Sequence, residues 1–248
     1  MIFRRNFVAG CLLIPVLLKT GEAFPKGRHR EIVYQLEYPP ITGPHGQHRQ
    51  NRVPSAVQIR RAAEIIAKTP TGPRPVDIAQ TFVDRFYAKE PALISQLPPP
   101  AAQNPLIAKF FHDTSTPNDG DIIPWCAAFA NFCIDRSGRI GSRSASSQSF
   151  LAAAFQKTNS PEEGDLAVFT CFSPLTGESL QLGHVAFYKE RIDGTHIKVL
   201  GGNQSTDEHS SIISETVMLT TDRPLRRHLS NGDYAPVIMR LNAFVSLS

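Results

Sequence analysis

The chain is 248 residues long, 41% hydrophobic and 19% charged, with a formal net charge of +4. That length and apolar fraction fit one sizeable globular domain with extra material, or two small ones, and need no disulfide scaffold. The charge is too mild to point to nucleic acid, and it falls to +2 when residues 1–23 are set aside; it is compatible with an anionic polymer as substrate.

Residues 1–23 have the layout of a secretory signal. Arg4-Arg5 form a basic start, Val8 to Leu18 is apolar apart from Gly10 and Pro15, and Gly21-Glu22-Ala23 offers small residues at the −3 and −1 positions of a cleavage site. The run is too short to span a bilayer, and no later segment approaches the roughly 20 apolar residues that spanning needs. Arg4-Arg5-Asn6-Phe7 also resembles the twin-arginine export motif. Val8-Ala9-Gly10-Cys11 resembles a lipoprotein acceptor site but precedes the apolar run rather than following it. The expectation is an exported protein, periplasmic or secreted, with no membrane span; a buried first helix is the plain alternative.

Residues 24–54 carry Pro25, Pro39, Pro40, Pro44 and Pro54 with Gly27, Gly43 and Gly46 between them, and read as an extended arm or linker. His29, His45 and His48 fit no ligand spacing, so no metal site is expected there. Residues 55–104 read as a helical appendage. Ser55 can cap a helix to about Lys68 with Ile59, Ala62, Ala63 and Ile66 on one stripe. A second helix is expected from Val76 to Lys89, with Ala79, Phe82, Val83, Phe86 and Tyr87 on one face. The pair is either packed on the catalytic core or a peptide- or glycan-binding module. Leu97-Pro98-Pro99-Pro100 ends it.

Residues 105–248 read as the catalytic domain. After a turn at Asn118-Asp119-Gly120-Asp121, Pro124 to Cys133 predicts a buried helix that begins at Pro124 and is closed by Ser137-Gly138. Cys126 then lies in the first turn, where unpaired amides and the positive end of the dipole favour thiolate. Gly141 to Ser147 is a small, flexible loop, and Ser147 can cap a helix with Phe150, Leu151, Ala154 and Phe155 on a face. From the turn at Pro161–Asp165 the pattern changes to strands: Leu166–Phe172, Gly183–Lys189, then Thr195–Leu200 after the hairpin turn Asp193-Gly194, with Ile212–Leu219 and Pro236–Leu241 as further strands. Helices first and an antiparallel sheet afterwards give an α+β fold.

A nucleophilic cysteine needs a base. His184 opens a strand directly after Gly183, whose missing side chain leaves room for a helix to approach. Asn203 follows Gly201-Gly202 at the end of the next strand, where the hairpin brings it near His184 and its amide oxygen can hold the imidazole. Gln204 can share or take that role, as can Asp207 or Glu208; Cys133, seven residues on from Cys126, is the alternative nucleophile. Asp165 reads as a turn residue rather than an acid, and Asn203 after Gly-Gly can equally be turn chemistry. With the signal removed, Cys126, Cys133 and Cys171 remain; an odd number leaves one thiol unpaired, and a Cys133–Cys171 bridge stays open. CxxC and HExxH spacings are absent, which disfavours a zinc hydrolase.

The blocks Pro124-Trp125-Cys126-Ala127-Ala128-Phe129, Gly164-Asp165-Leu166-Ala167-Val168-Phe169, Gly183-His184-Val185-Ala186-Phe187-Tyr188 and Leu200-Gly201-Gly202-Asn203-Gln204 occur in that order. Together they resemble the CHAP family, the cysteine, histidine-dependent amidohydrolases/peptidases of the papain-like superfamily, over roughly residues 105–240. The resemblance implies a cysteine on a helix packed against an antiparallel sheet, with Cys126 as nucleophile, His184 as base and Asn203 as orienting residue, and no cofactor. It also implies cleavage of amide bonds in bacterial peptidoglycan, with the stem peptides as partner, either as amidase or as endopeptidase. The competing expectations are an exported cysteine peptidase acting on proteins and a non-catalytic wall-binding protein of the same fold. If the protein is an antibacterial effector, an immunity protein is a further partner.

Overall fold

The computed structural model describes residues 53–96, 101–116, 123–205, 211–228 and 234–247. The expected signal, the arm up to residue 52, Pro98–Pro100, the turn at Asn118–Asp121, and Asp207 and Glu208 lie outside the described residues.

Helix α1 (Ala56–Ala67) starts at a capping box in which the Ser55 hydroxyl accepts from the Gln58 amide and the Gln58 side chain accepts from the Ser55 amide. It buries Ala62 and Ile65, whereas Ile59 and Ala63 of the expected stripe face solvent. Helix α2 (Pro75–Phe82) begins at a proline and ends earlier than expected, because Val83–Tyr87 widen into a single π turn. The extra residue per turn shifts the phase, so Phe86 is buried and Tyr87 is 49% exposed. A 3₁₀ turn (Pro91–Ile94) leads to the two-residue strand β1 (Ser95–Gln96). The Asn104 side chain caps α3 (Pro105–Phe110) at Leu106 and donates back to the Leu93 and Ser95 carbonyls.

Helix α4 (Cys126–Arg136) is buried from Cys126 to Ile134. It starts two residues later than expected, with Trp125 rather than a residue before Pro124 in the capping position. Its end follows the expectation. Gly138 takes φ +79°, the Arg139 N–H reaches the Ile134 carbonyl at 3.2 Å and the Gly138 N–H reaches Asp135 at 2.8 Å, a Schellman closure. The helix expected from Ser147 is instead a 3₁₀ segment (Ser147–Leu151). The Gln148 side chain explains the difference. It donates to the Phe169 carbonyl and accepts from the Thr170 hydroxyl, which holds the segment across β3 rather than letting it wind on.

The sheet contains β2 (Lys157–Thr158), β3 (Leu166–Phe172), β4 (Ser179–Arg191), β5 (His196–Ser205), β6 (Ser211–Leu219), β7 (Arg223–His228) and β8 (Tyr234–Val245), with β1 on one edge. Its order is β1-β6-β5-β4-β3-β8-β2, with β7 also on β8, and every pairing is antiparallel. The fold is α+β. Strand alternation splits the apolar residues into two layers. Leu166, Val168, Val185, Phe187 and Leu200 meet the helices, together with Ala62, Phe82 and Phe110 of the segment before α4. Ala167, Phe169, Ala186, Tyr188 and Val199 form the layer on the other face. Cys133 belongs to the first layer and Cys171 to the second, so the sheet separates them. Both are free thiols and no Cys133–Cys171 bridge forms.

Candidate active site

Helix α4 lies close on the middle of the sheet because β5 offers no side chain at Gly202. A Cβ there would come within 2.5 Å of the Trp125 ring and 2.8 Å of the Phe129 Cβ. Trp125 is fully buried, stacked on Phe110 with ring centroids 6.2 Å apart and planes 24° off parallel. The first turn of the helix is thereby pressed to the point where β4 and β5 stop pairing, beyond Phe187 and Leu200.

Cys126 is the first residue of that turn. The backbone N–H groups of Val185, Ala127 and Cys126 itself lie near enough to its sulfur to lower the thiol. The first of these belongs to β4 and immediately follows His184. His184 is fully buried and pairs across to Phe169 on β3; by alternation it starts on the Ala186 and Tyr188 face, opposite the layer of Cys126, so its ring can meet the sulfur only where β4 and β5 stop pairing. Gly183 has a different role from the expected one. A Cβ there would lie 1.8 Å from the Phe169 carbonyl oxygen and 2.7 Å from Gln148 Nε2, so β3 and Gln148 occupy the space, and it is Gly202 that admits the helix.

Asn203 is 4% exposed and takes φ +58°, inside a bulge where β5 slips one residue against β6 between Gly201 and Gln204. Continuing the β4–β5 register past Phe187 and Leu200 brings Asn203 level with His184. Among the described residues no hydrogen bond joins the Asn203 amide to the ring. Gln204 is fully buried with both amide atoms unpaired, and its Nε2 lies over Gly201 beside Ala186, on the His184 face.

The electrostatics run against the expected thiolate. Burial pushes the Cys126 thiol up to about 11, outweighing the three backbone amides that lower it. Burial likewise moves His184 down to about 4. The resting groups are therefore a neutral thiol and a neutral imidazole. Cys133 is fully buried, two turns deeper, and is held well above its ordinary value by the same desolvation. Asp165 accepts from the Glu162 and Leu247 backbone amides at 2.9 and 3.0 Å, which fixes the turn before β3 and the C-terminal end of the chain. Among the described residues no helix is long and apolar enough to cross a membrane.

Residues 108–203 match the CHAP domain. This stretch of the chain is similar to a CHAP domain. It runs from α3 to the bulge in β5 and includes Cys126, His184 and Asn203. The match implies a hydrolase of the cysteine, histidine-dependent amidohydrolase/peptidase kind. No curated protein and no solved structure matches the chain. Sequence reasoning missed Gln148, Ser211 and Gln96, which contact the site's framework from distant elements and leave no local pattern.

Proposed function

We propose that the protein is an exported cysteine hydrolase that cleaves amide bonds of bacterial peptidoglycan, with Cys126 as nucleophile, His184 as base and Asn203 as orienting residue. One observation carries this reading. Within the stretch that matches the CHAP domain, the Val185 amide, which lowers the Cys126 thiol, directly follows His184 on β4. The signal-like residues 1–23 support export.

The neutral resting pair sets the order of events. The thiol proton passes to the His184 imidazole as the sulfur attacks the amide carbonyl, so charge separates during the attack rather than before it. The resulting imidazolium gives that proton to the leaving amine as the C–N bond breaks, which leaves an acyl-thioenzyme. His184 then takes a proton from water, the hydroxide oxygen bonds to the acyl carbon, and the carboxylic acid leaves as the thiol is restored. These steps need no metal or organic cofactor. Cys126 is 2% exposed and His184 is fully buried. Entry of a solvated amide reduces the burial that holds the two groups neutral.

The test is digestion of purified sacculi by the full chain, with mass spectrometry of the released fragments. Soluble fragments with a new carboxylate and a new amine are expected, and their masses assign the amide cut. Hydrolysis of a casein-like protein but not of stem peptides would replace this reading with a protein-directed peptidase. Sacculus binding without turnover would replace it with a wall-binding protein.

A further inference from the structure

We infer that Gln96, Ser211 and Trp125 form a buried hydrogen-bonded relay that positions the helix terminus carrying Cys126. Residues 95–96 would then serve the reaction although they lie outside the CHAP match at 108–203. The inference rests on the reading of Cys126 as nucleophile.

The links have one sense. The Trp125 indole Nε1–H, which can only donate, gives its hydrogen bond to Ser211 Oγ at 3.1 Å. The Ser211 hydroxyl gives its own to Gln96 Oε1 at 2.9 Å. All three residues are buried, Trp125 completely. Strand pairing sets the far end, because Gln96 on β1 sits opposite Ser211 on β6.

The near end matters because α4 has no side-chain cap of its own. Nothing local fixes its first turn. Trp125 supplies the capping carbonyl, which accepts from the Phe129 amide at 2.9 Å, and Cys126 is bonded directly to it. The indole is sandwiched between Phe110 and the bare backbone at Gly202, and the relay locks its polar edge. A ring displaced from this slot would have to take the Trp125 backbone with it, and so shift Cys126, which is bonded to it. An apolar packing could fill the same volume without this relay. A fully satisfied buried chain adds one defined orientation, which is what a nucleophile one residue away requires.

The experiment uses the full chain with Ser211→Ala, Ser211→Thr, Gln96→Ala, Trp125→Phe and the Ser211→Ala/Trp125→Phe double variant. Two readouts are taken: kcat and KM on a soluble stem peptide, and the pH-dependent rate of Cys126 alkylation by iodoacetamide, followed by intact mass. Each single removal is expected to lower kcat about tenfold with KM within about twofold, and to change the alkylation rate several-fold. The double variant should be no worse than either single one, and Ser211→Thr should restore both readouts. An unchanged kcat and alkylation profile in folded Ser211→Ala, or fully additive losses, would overturn the relay. A wild-type chain without turnover would remove the proposed function instead, and the alkylation profiles would still decide on the relay.

Discussion

The Val185 N–H lies near enough to the Cys126 sulfur to lower its thiol, which brings α4 to the strand that carries His184, 58 positions further along the chain. The contact exists because Gly202 lets α4 settle onto the sheet at the place where β4 and β5 part. The same closeness buries both groups, and burial sets their protonation.

Alkylation of Cys126 should therefore report a high thiol. With its folded value raised to about 11 from an ordinary 9.0, the rate in the resting protein should keep climbing through pH 9 and toward 11. Iodoacetamide labelling followed by mass spectrometry checks it. A plateau below pH 8 would show that the helix terminus, not burial, governs the thiol.

His184 predicts an acid-side loss of stability. Its folded value of about 4 lies below the ordinary 6.5, so the unfolded chain binds the proton first as pH falls. The contribution is intact above 6.5 and is lost on the way down to about 4, by up to about 3 kcal/mol. Chemical unfolding at pH 7 and pH 4.5 measures this loss, and His184→Gln should shrink it. An equal loss in wild type and variant would place the titration elsewhere.

Gly202→Ala and Gly183→Ala separate two kinds of close approach. At Gly202 the added Cβ meets the Trp125 and Phe129 side chains, so α4 must lift, at a cost of about 1–3 kcal/mol and with a measurable loss of turnover. At Gly183 it meets the Phe169 backbone carbonyl at 1.8 Å, which no rotamer change relieves, and the β3–β4 pairing must break. Thermal unfolding should rank Gly183→Ala as the more damaging. The reverse order would contradict the geometry.

Gln204 is expected to lower stability where it stands. A buried amide with neither atom paired costs about 1–3 kcal/mol, so Gln204→Met, which keeps the volume, should raise the midpoint of thermal unfolding by about 2–4 °C. A lower midpoint would show that the amide has a stabilising role.

Much of this was legible in short stretches. The Trp125-Cys126 block, the Gly183-His184 block, the closure at Gly138 and the run of strands from Leu166 all follow from neighbours in sequence. What was not legible depends on the third dimension. The π turn at Val83–Tyr87 shifts a helical stripe that periodicity alone draws straight through. The bulge at Asn203 and its left-handed backbone arise from pairing with β6. The expectation of a thiolate failed because the amides of a helix terminus are local, while the burial that opposes them is assembled from α4, β4 and β5 together. Gln96 and Ser211 lie 115 positions apart, and no pattern in either stretch announces their hydrogen bond.

The most direct test is the release of soluble fragments from purified sacculi by wild type, Cys126→Ser and His184→Ala, each confirmed folded by circular dichroism. The account predicts release by wild type, with turnover reduced at least about a thousandfold in both variants. Wild-type turnover retained by either variant would contradict it.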